Sequence, residues 1–126
     1  MQLDKVCSIP AVIARDDEPL ADAAARMRFS DLGSAAVVDE SRMLIGVITE
    51  RDIVRAVADG ASIETTLVGD YMTPDAPVAT PETGAREAAR LMLEKGIRHL
   101  PVVTANRHVV GFASVQDLLF ELLWTA

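Results

Sequence analysis

Two places in the chain set a hydroxyl and a carboxylate three residues apart, each behind a glycine. They are Gly46-Val47-Ile48-Thr49-Glu50-Arg51-Asp52 and Gly111-Phe112-Ala113-Ser114-Val115-Gln116-Asp117. Apolar, β-branched residues lead into each hydroxyl and a helical pattern follows it, so each set spans a change from strand to helix. At a helix start the unpaired N–H groups and the positive dipole end attract an anion such as phosphate, and a hydroxyl adds one more donor. A carboxylate one turn further on accepts from two adjacent hydroxyls at once, as in a ribose 2′,3′-diol. The glycine leaves backbone open to a flat ring. A plainer use competes with this one. Thr-x-x-Asp and Ser-x-x-Asp are relatives of the capping box, in which the same two side chains satisfy backbone N–H groups. A lone copy favours the cap; two copies at matched places favour a ligand.

The matched places belong to a duplication. Gly46 and Gly111 are 65 residues apart, and the same offset lays Val37-Val38 on Val102-Val103 and Met27 on Met92. It also lays Ala23-Ala24 on Ala88-Ala89 and Ile13-Ala14 on Val78-Ala79. Each half opens on a short apolar segment, 11–14 and 77–80. Leu20, Ala23, Ala24 and Met27 then follow the i, i+3, i+4, i+7 stripe of an amphipathic helix, and Ala85, Ala88, Ala89 and Met92 repeat it. Asp17 and Thr83 are the expected N-caps, Gly33 and Gly96 the expected stops. Two hairpins follow, 35–38 with 44–48 and 100–103 with 109–113, joined by the polar turns 39–42 and 104–107. A second helix closes each half, 51–58 ended by Gly60 and 115 to about 123. The halves divide as 1–62 and 63–126. The joining stretch 59–70 carries Ile63, Leu67 and Val68, so it is expected to pack. Neither half has much core alone.

At 126 residues, half of them hydrophobic and a quarter charged, the chain has ordinary globular composition. Only 4% are aromatic, so aliphatic residues and methionine must fill the core. A net charge of −7 argues against nonspecific binding to nucleic acid or an anionic membrane. Cys7, the one cysteine, reads as a small buried hydrophobe and allows neither an intrachain disulfide nor a cysteine metal cluster. The start lacks the pattern of a signal peptide, and no apolar run is long enough to span a bilayer. A cytoplasmic protein is expected. No Ser/His/Asp or Cys/His pairing, Walker-type loop or metal-ligand cluster points to an enzyme or to an obligatory cofactor.

The sequence resembles a tandem pair of CBS domains, a Bateman module, over about residues 6–123. The resemblance rests on Gly46-Val47-Ile48-Thr49-Glu50-Arg51-Asp52-Ile53-Val54, on Gly96-Ile97-Arg98-His99-Leu100-Pro101-Val102-Val103, and on Tyr71-Met72-Thr73-Pro74 opening the second half. It implies an α+β (mixed α/β) fold, two β-α-β-β-α motifs packed through their sheets in pseudo-two-fold fashion. Clefts between the motifs would hold AMP, ADP, ATP or S-adenosylmethionine as a regulatory ligand, without catalysis. Asp52 and Asp117 would hold ribose; Thr49 and Ser114 would touch phosphate. Backbone near Ile13-Ala14 and Val78-Ala79, with Gly46 and Gly111, would meet adenine. The implied assembly is a homodimeric disc, with a regulated protein partner left unspecified. A ligand-free dimerisation module is the alternative.

The halves differ where phosphate would sit. Arg98 and His99, candidate phosphate contacts, fall on the uncharged Gly33 and Ser34, and Arg51 falls on Gln116. Pro101 falls on Ala36. The two sites are therefore expected to bind unequally. The segment from Leu118 to Trp124 is too apolar for a free helix and is expected to serve partly as core and partly as a contact surface.

Overall fold

The computed structural model describes residues 12–125, which form two compact units, Val12–Ala76 and the residues from Pro77 onward. Cys7 lies outside the described residues. In the first unit β1 (Ile13–Arg15) runs into α1 (Leu20–Ser30), then β2 (Ser34–Val38), β3 (Leu44–Thr49) and α2 (Glu50–Ala58). A short α3 (Val68–Tyr71) and β4 (Thr73–Pro74) complete it. The strands form one sheet in the order β1-β2-β3-β4, parallel between β1 and β2 and antiparallel elsewhere. Leu20, Ala23 and Met27 of α1 pack with Val37, Ile48, Ala56 and Val68 into a buried aliphatic core.

The second unit repeats this plan with α4 (Ala85–Lys95), β5 (His99–Val103), β6 (Val109–Ser114) and α5 (Val115–Thr125). An isolated parallel bridge, Ala79 to Val102, stands where β1 meets β2 in the first unit. Ala85, Ala88, Met92, Leu100, Val102 and Leu118 make its core. The duplication extends to backbone detail. Both hairpins slip register at the same step, Val37/Val38 and Val102/Val103. Both turns place an arginine at positive φ, Arg42 at 67° and Arg107 at 63°. The fold is mixed α/β, as the sequence implied.

Three local readings are corrected. The N-caps are Pro19 and Gly84, without side-chain capping bonds, and not Asp17 and Thr83. The α1 entrance needs no side-chain cap, because the carbonyls of Thr66 and Ile63 accept from Leu20 N and Ala21 N at 2.8 Å each. Thr83 Oγ1 instead accepts from Thr80 N at 3.0 Å, and Asp17 pairs with Arg15. The left-handed residue ending α1 is Asp31, at φ 56°, in place of the expected Gly33. Gly96, at φ 65°, ends α4 as expected.

The joining stretch packs, and it packs on the first unit. Ala61 and Ile63 lie against that core, Val68 is part of it, and Val68 N and Gly69 N donate to Glu18 O and Asp16 O at 2.9 Å. This is why the compact units divide between Ala76 and Pro77, and not at the 62/63 boundary expected from the sequence.

Candidate functional site

Each repeat brings its hydroxyl and carboxylate to the junction of a hairpin strand and the closing helix. In the first, Thr49 ends β3 in extended conformation (φ −122°, ψ 165°) and caps α2. Its Oγ1 accepts from Asp52 N at 3.3 Å, and Asp52 Oδ2 accepts from Thr49 N at 2.9 Å and from Thr49 Oγ1 at 3.0 Å. That is a complete capping box. Asp52 is buried, and its second oxygen, Oδ1, faces the Arg55 guanidinium at 3.5 Å. Arg55 is itself anchored. It donates to the Tyr71 carbonyl at 3.0 Å and lies over the Tyr71 ring, 5.4 Å from its centroid. The Tyr71 hydroxyl donates to Asp59 at 2.8 Å, which holds its proton more tightly than an ordinary phenol and raises its pKa.

The second entrance has the same backbone and a different balance. Ser114, buried at the end of β6, accepts from Asp117 N at 3.1 Å. The return bond is missing: Asp117 Oδ2 is buried and holds no hydrogen-bond partner. The residue at the position of Arg55 is Phe120, which offers no side-chain N–H. A buried carboxylate oxygen without a donor costs about 1–3 kcal/mol or more, so it is a group for which a diol is a fitting partner.

The other candidates fall around these junctions. His99 pairs in register with Ser114, as Ser34 pairs with Thr49, and its ring meets Phe112 edge-on at 6.2 Å. Arg98 is exposed, and its carbonyl accepts from Val115 N at 2.9 Å, so its chain position adjoins the α5 entrance. Gly33 O accepts from Glu50 N in the same way, which brings the Glu50 carboxylate beside Gly33, 3.2 Å from where a Cβ would stand. Arg51 is exposed on α2 and Gln116 on α5. Ala14 and Ala79 are buried by their parallel pairing, Ile13 is exposed and Val78 half-buried. The Ile13 carbonyl accepts from Arg26 Nε at 3.1 Å.

Gly46 and Gly111 are both buried in strand interiors. A Cβ at Gly46 would meet Thr73 O at 2.7 Å and Met72 Sδ at 2.9 Å. What that missing side chain admits is the approach of β4 and Met72. Sequence reasoning missed Arg26, Glu50, Arg55 and Tyr71. The signal for three of them was present, since the constant offset sets them against Leu91, Val115 and Phe120. Among the described residues no group of three or more His, Cys, Asp and Glu side chains could hold a metal. No described helix is long and apolar enough to cross a membrane.

A duplicated β-α-β-β-α chain with a hydroxyl and carboxylate at each closing helix defines a class, and comparison with known proteins agrees with it. The CBS domain model matches residues 3–59 and 68–123, and the chain belongs to the CBS domain family. An uncharacterized 17.7 kDa protein of Acidianus ambivalens is 34% identical over 97% of this chain and 73% of its own length. The chain spans 53% and 31% of two further archaeal relatives. Among solved structures, the CBS domain pair of protein MJ0100, in complex with 5′-methylthioadenosine and S-adenosyl-L-methionine, superposes with a TM-score of 0.90. It is 24% identical, over 100% of this chain and 98% of that one. The Pyrobaculum aerophilum CBS domain protein PAE2072, complexed with AMP, gives 0.87 at 24% identity, with both chains fully covered.

Proposed function

We propose that this chain is a non-catalytic regulatory module that binds an adenosyl ligand, an adenine nucleotide or S-adenosylmethionine. The observation that carries the reading is the bare, buried Oδ2 of Asp117 beside a helix entrance. It asks for donors from outside the chain, and a ribose diol supplies two on adjacent carbons. Ser114 and the α5 entrance would receive phosphate or another anionic group, with Arg98 and His99 nearby in sequence and register. Complexes of similarly folded pairs with AMP and with S-adenosyl-L-methionine support this choice of ligand class. A single cysteine in the chain fits a reducing compartment such as the cytosol.

Ligand would stabilise the module by about 2.7 kcal/mol at a hundred times Kd. Thermal-shift measurements with millimolar AMP, ADP, ATP, S-adenosylmethionine and NAD test this. At least one is expected to raise the melting temperature, and a flat response to all five removes the reading.

A second reading, self-association, has its own observation. Val54 and Val57 of α2 and Leu119, Phe120 and Leu123 of α5 are exposed, more apolar surface than closing helices facing water would carry. We assign these faces to a homodimer. Sedimentation equilibrium should give the mass of two chains, shifted toward one by Leu123→Glu. A monomer at tens of micromolar would sink it.

A further inference from the structure

Five differences between matched positions around the candidate groups act in one direction, and a sixth, Arg51 against Gln116, acts in the other. At the first repeat the acceptors are already occupied. Arg26 Nε donates to the Ile13 carbonyl at 3.1 Å, and this guanidinium is held in turn by Glu18, which also accepts from Arg15 N at 2.9 Å. Arg55 sits 3.5 Å from Asp52 Oδ1, while Thr49 fills Oδ2 with two bonds. In the second repeat Arg26 becomes Leu91 and Arg55 becomes Phe120, and neither side chain can donate. The charge around the helix entrance also shifts, although the cation Arg51 gives way to the neutral Gln116. Glu50, a carboxylate where an anion would dock, becomes Val115, and the neutral Gly33 and Ser34 become Arg98 and His99.

We infer that Arg26 and Arg55 are built-in occupants of the first repeat, withholding the Ile13 carbonyl and the Asp52 carboxylate from any ligand. The chain accordingly takes one adenosyl ligand, at the second repeat, where Leu91 and Phe120 stand at the positions of the two arginines. The inference rests on the proposed function and deepens it by assigning the ligand to one repeat and naming the residues that set the choice. Each arginine is held by more than one contact. To open the first repeat a ligand would have to release Arg55 from Asp52, from the Tyr71 carbonyl and from the Tyr71 ring together. It would then bring its own anionic groups against Glu50, where like charges repel. No such exchange is required at Asp117, whose bare oxygen gains a bond without another being broken.

Calorimetric titration of the full chain with AMP and with S-adenosylmethionine tests this directly. One ligand per chain is expected, with affinity at least about ten-fold weaker in Asp117→Ala. The double variant Arg26→Leu, Arg55→Phe, which installs the second repeat's residues in the first, should raise the stoichiometry toward two. Two ligands per chain in the unmodified protein, or undiminished binding in Asp117→Ala, overturns the inference and leaves the function standing. A folded double variant that still binds one ligand removes the arginines from the account. No binding of either compound, or of any other adenosyl ligand, removes the function and the inference together. Should the double variant fail to fold, the stoichiometry and Asp117→Ala still decide.

Discussion

In the first repeat the carboxylate one turn into the closing helix accepts two hydrogen bonds and faces a guanidinium; in the second, the matching carboxylate keeps a buried oxygen bare. Around these two groups the backbones agree to the level of a shared register slip and a shared left-handed turn residue. The comparison separates what duplication preserves from what it releases. Strand pairing, helix stripes and turns are fixed by hydrogen bonding and burial in both copies, so they stay. The side chains that close or open the helix entrance carry no such duty, and they have diverged into a self-satisfied end and an unsatisfied one. The first repeat has its own orphan, and it has the opposite sign. Arg15 Nε is a buried donor without a partner, but Asp17 and Glu18 lie beside it in sequence and contact the same residue. That arrangement leaves little attraction for an anion.

The largest difference between the two repeats is expected when each carboxylate is removed from the ligand-free protein and stability is measured by urea unfolding. Asp52→Ala strips the capping box of its return bond, leaves Thr49 N without its acceptor and leaves Arg55 without its carboxylate partner. A loss of about 1–2 kcal/mol is expected. Asp117→Ala removes a buried acceptor that had no donor, a gain, and a negative charge near a helix N-terminus, a loss of about 0.3–1 kcal/mol. The two nearly cancel, so a change within about 0.5 kcal/mol is expected. Equal losses at the two sites would show both carboxylates to be ordinary caps.

Much of this was legible in the sequence. The offset of 65 located every strand of both hairpins and both pairs of helices, because periodicity and turn chemistry are local properties. The Thr49–Asp52 and Ser114–Asp117 pairs were found by spacing alone, and the capping alternative was found with them. Spacing could not say which use each pair is put to. That depends on Arg55, three residues beyond Asp52, and on Tyr71, sixteen beyond Arg55, which reaches it only because α3 folds back onto the first core. The start of α1 differs from its sequence reading for a similar reason. Its first N–H groups are met by carbonyls of Thr66 and Ile63, supplied from more than forty residues away, and no local signal at Asp17 reveals them. Gly46 was read as an opening because a glycine in a strand leaves space; the sequence does not tell that β4 fills it.

The finest test of the asymmetry reads the tether that holds Arg55 in place. Tyr71 is the one tyrosine in the chain, so its phenolate absorbance reports on it alone. Donation to Asp59 favours the protonated phenol, with burial and the nearby Asp59 charge adding to the effect and Arg55 opposing it, so its pKa stands above the ordinary value of 10.0. A group whose folded pKa is raised contributes stability that is fully present below its unfolded pKa and lost as pH climbs through the folded one. The contribution of this hydroxyl therefore persists through neutral pH and fades only above about pH 10. The midpoint is expected to fall in Asp59→Asn, and Tyr71→Phe is expected to flatten the alkaline part of the stability curve while leaving the Arg55 stacking in place. A phenol that titrates at its ordinary value in the folded protein would mean that the Asp59 bond does not fix the ring over which Arg55 lies.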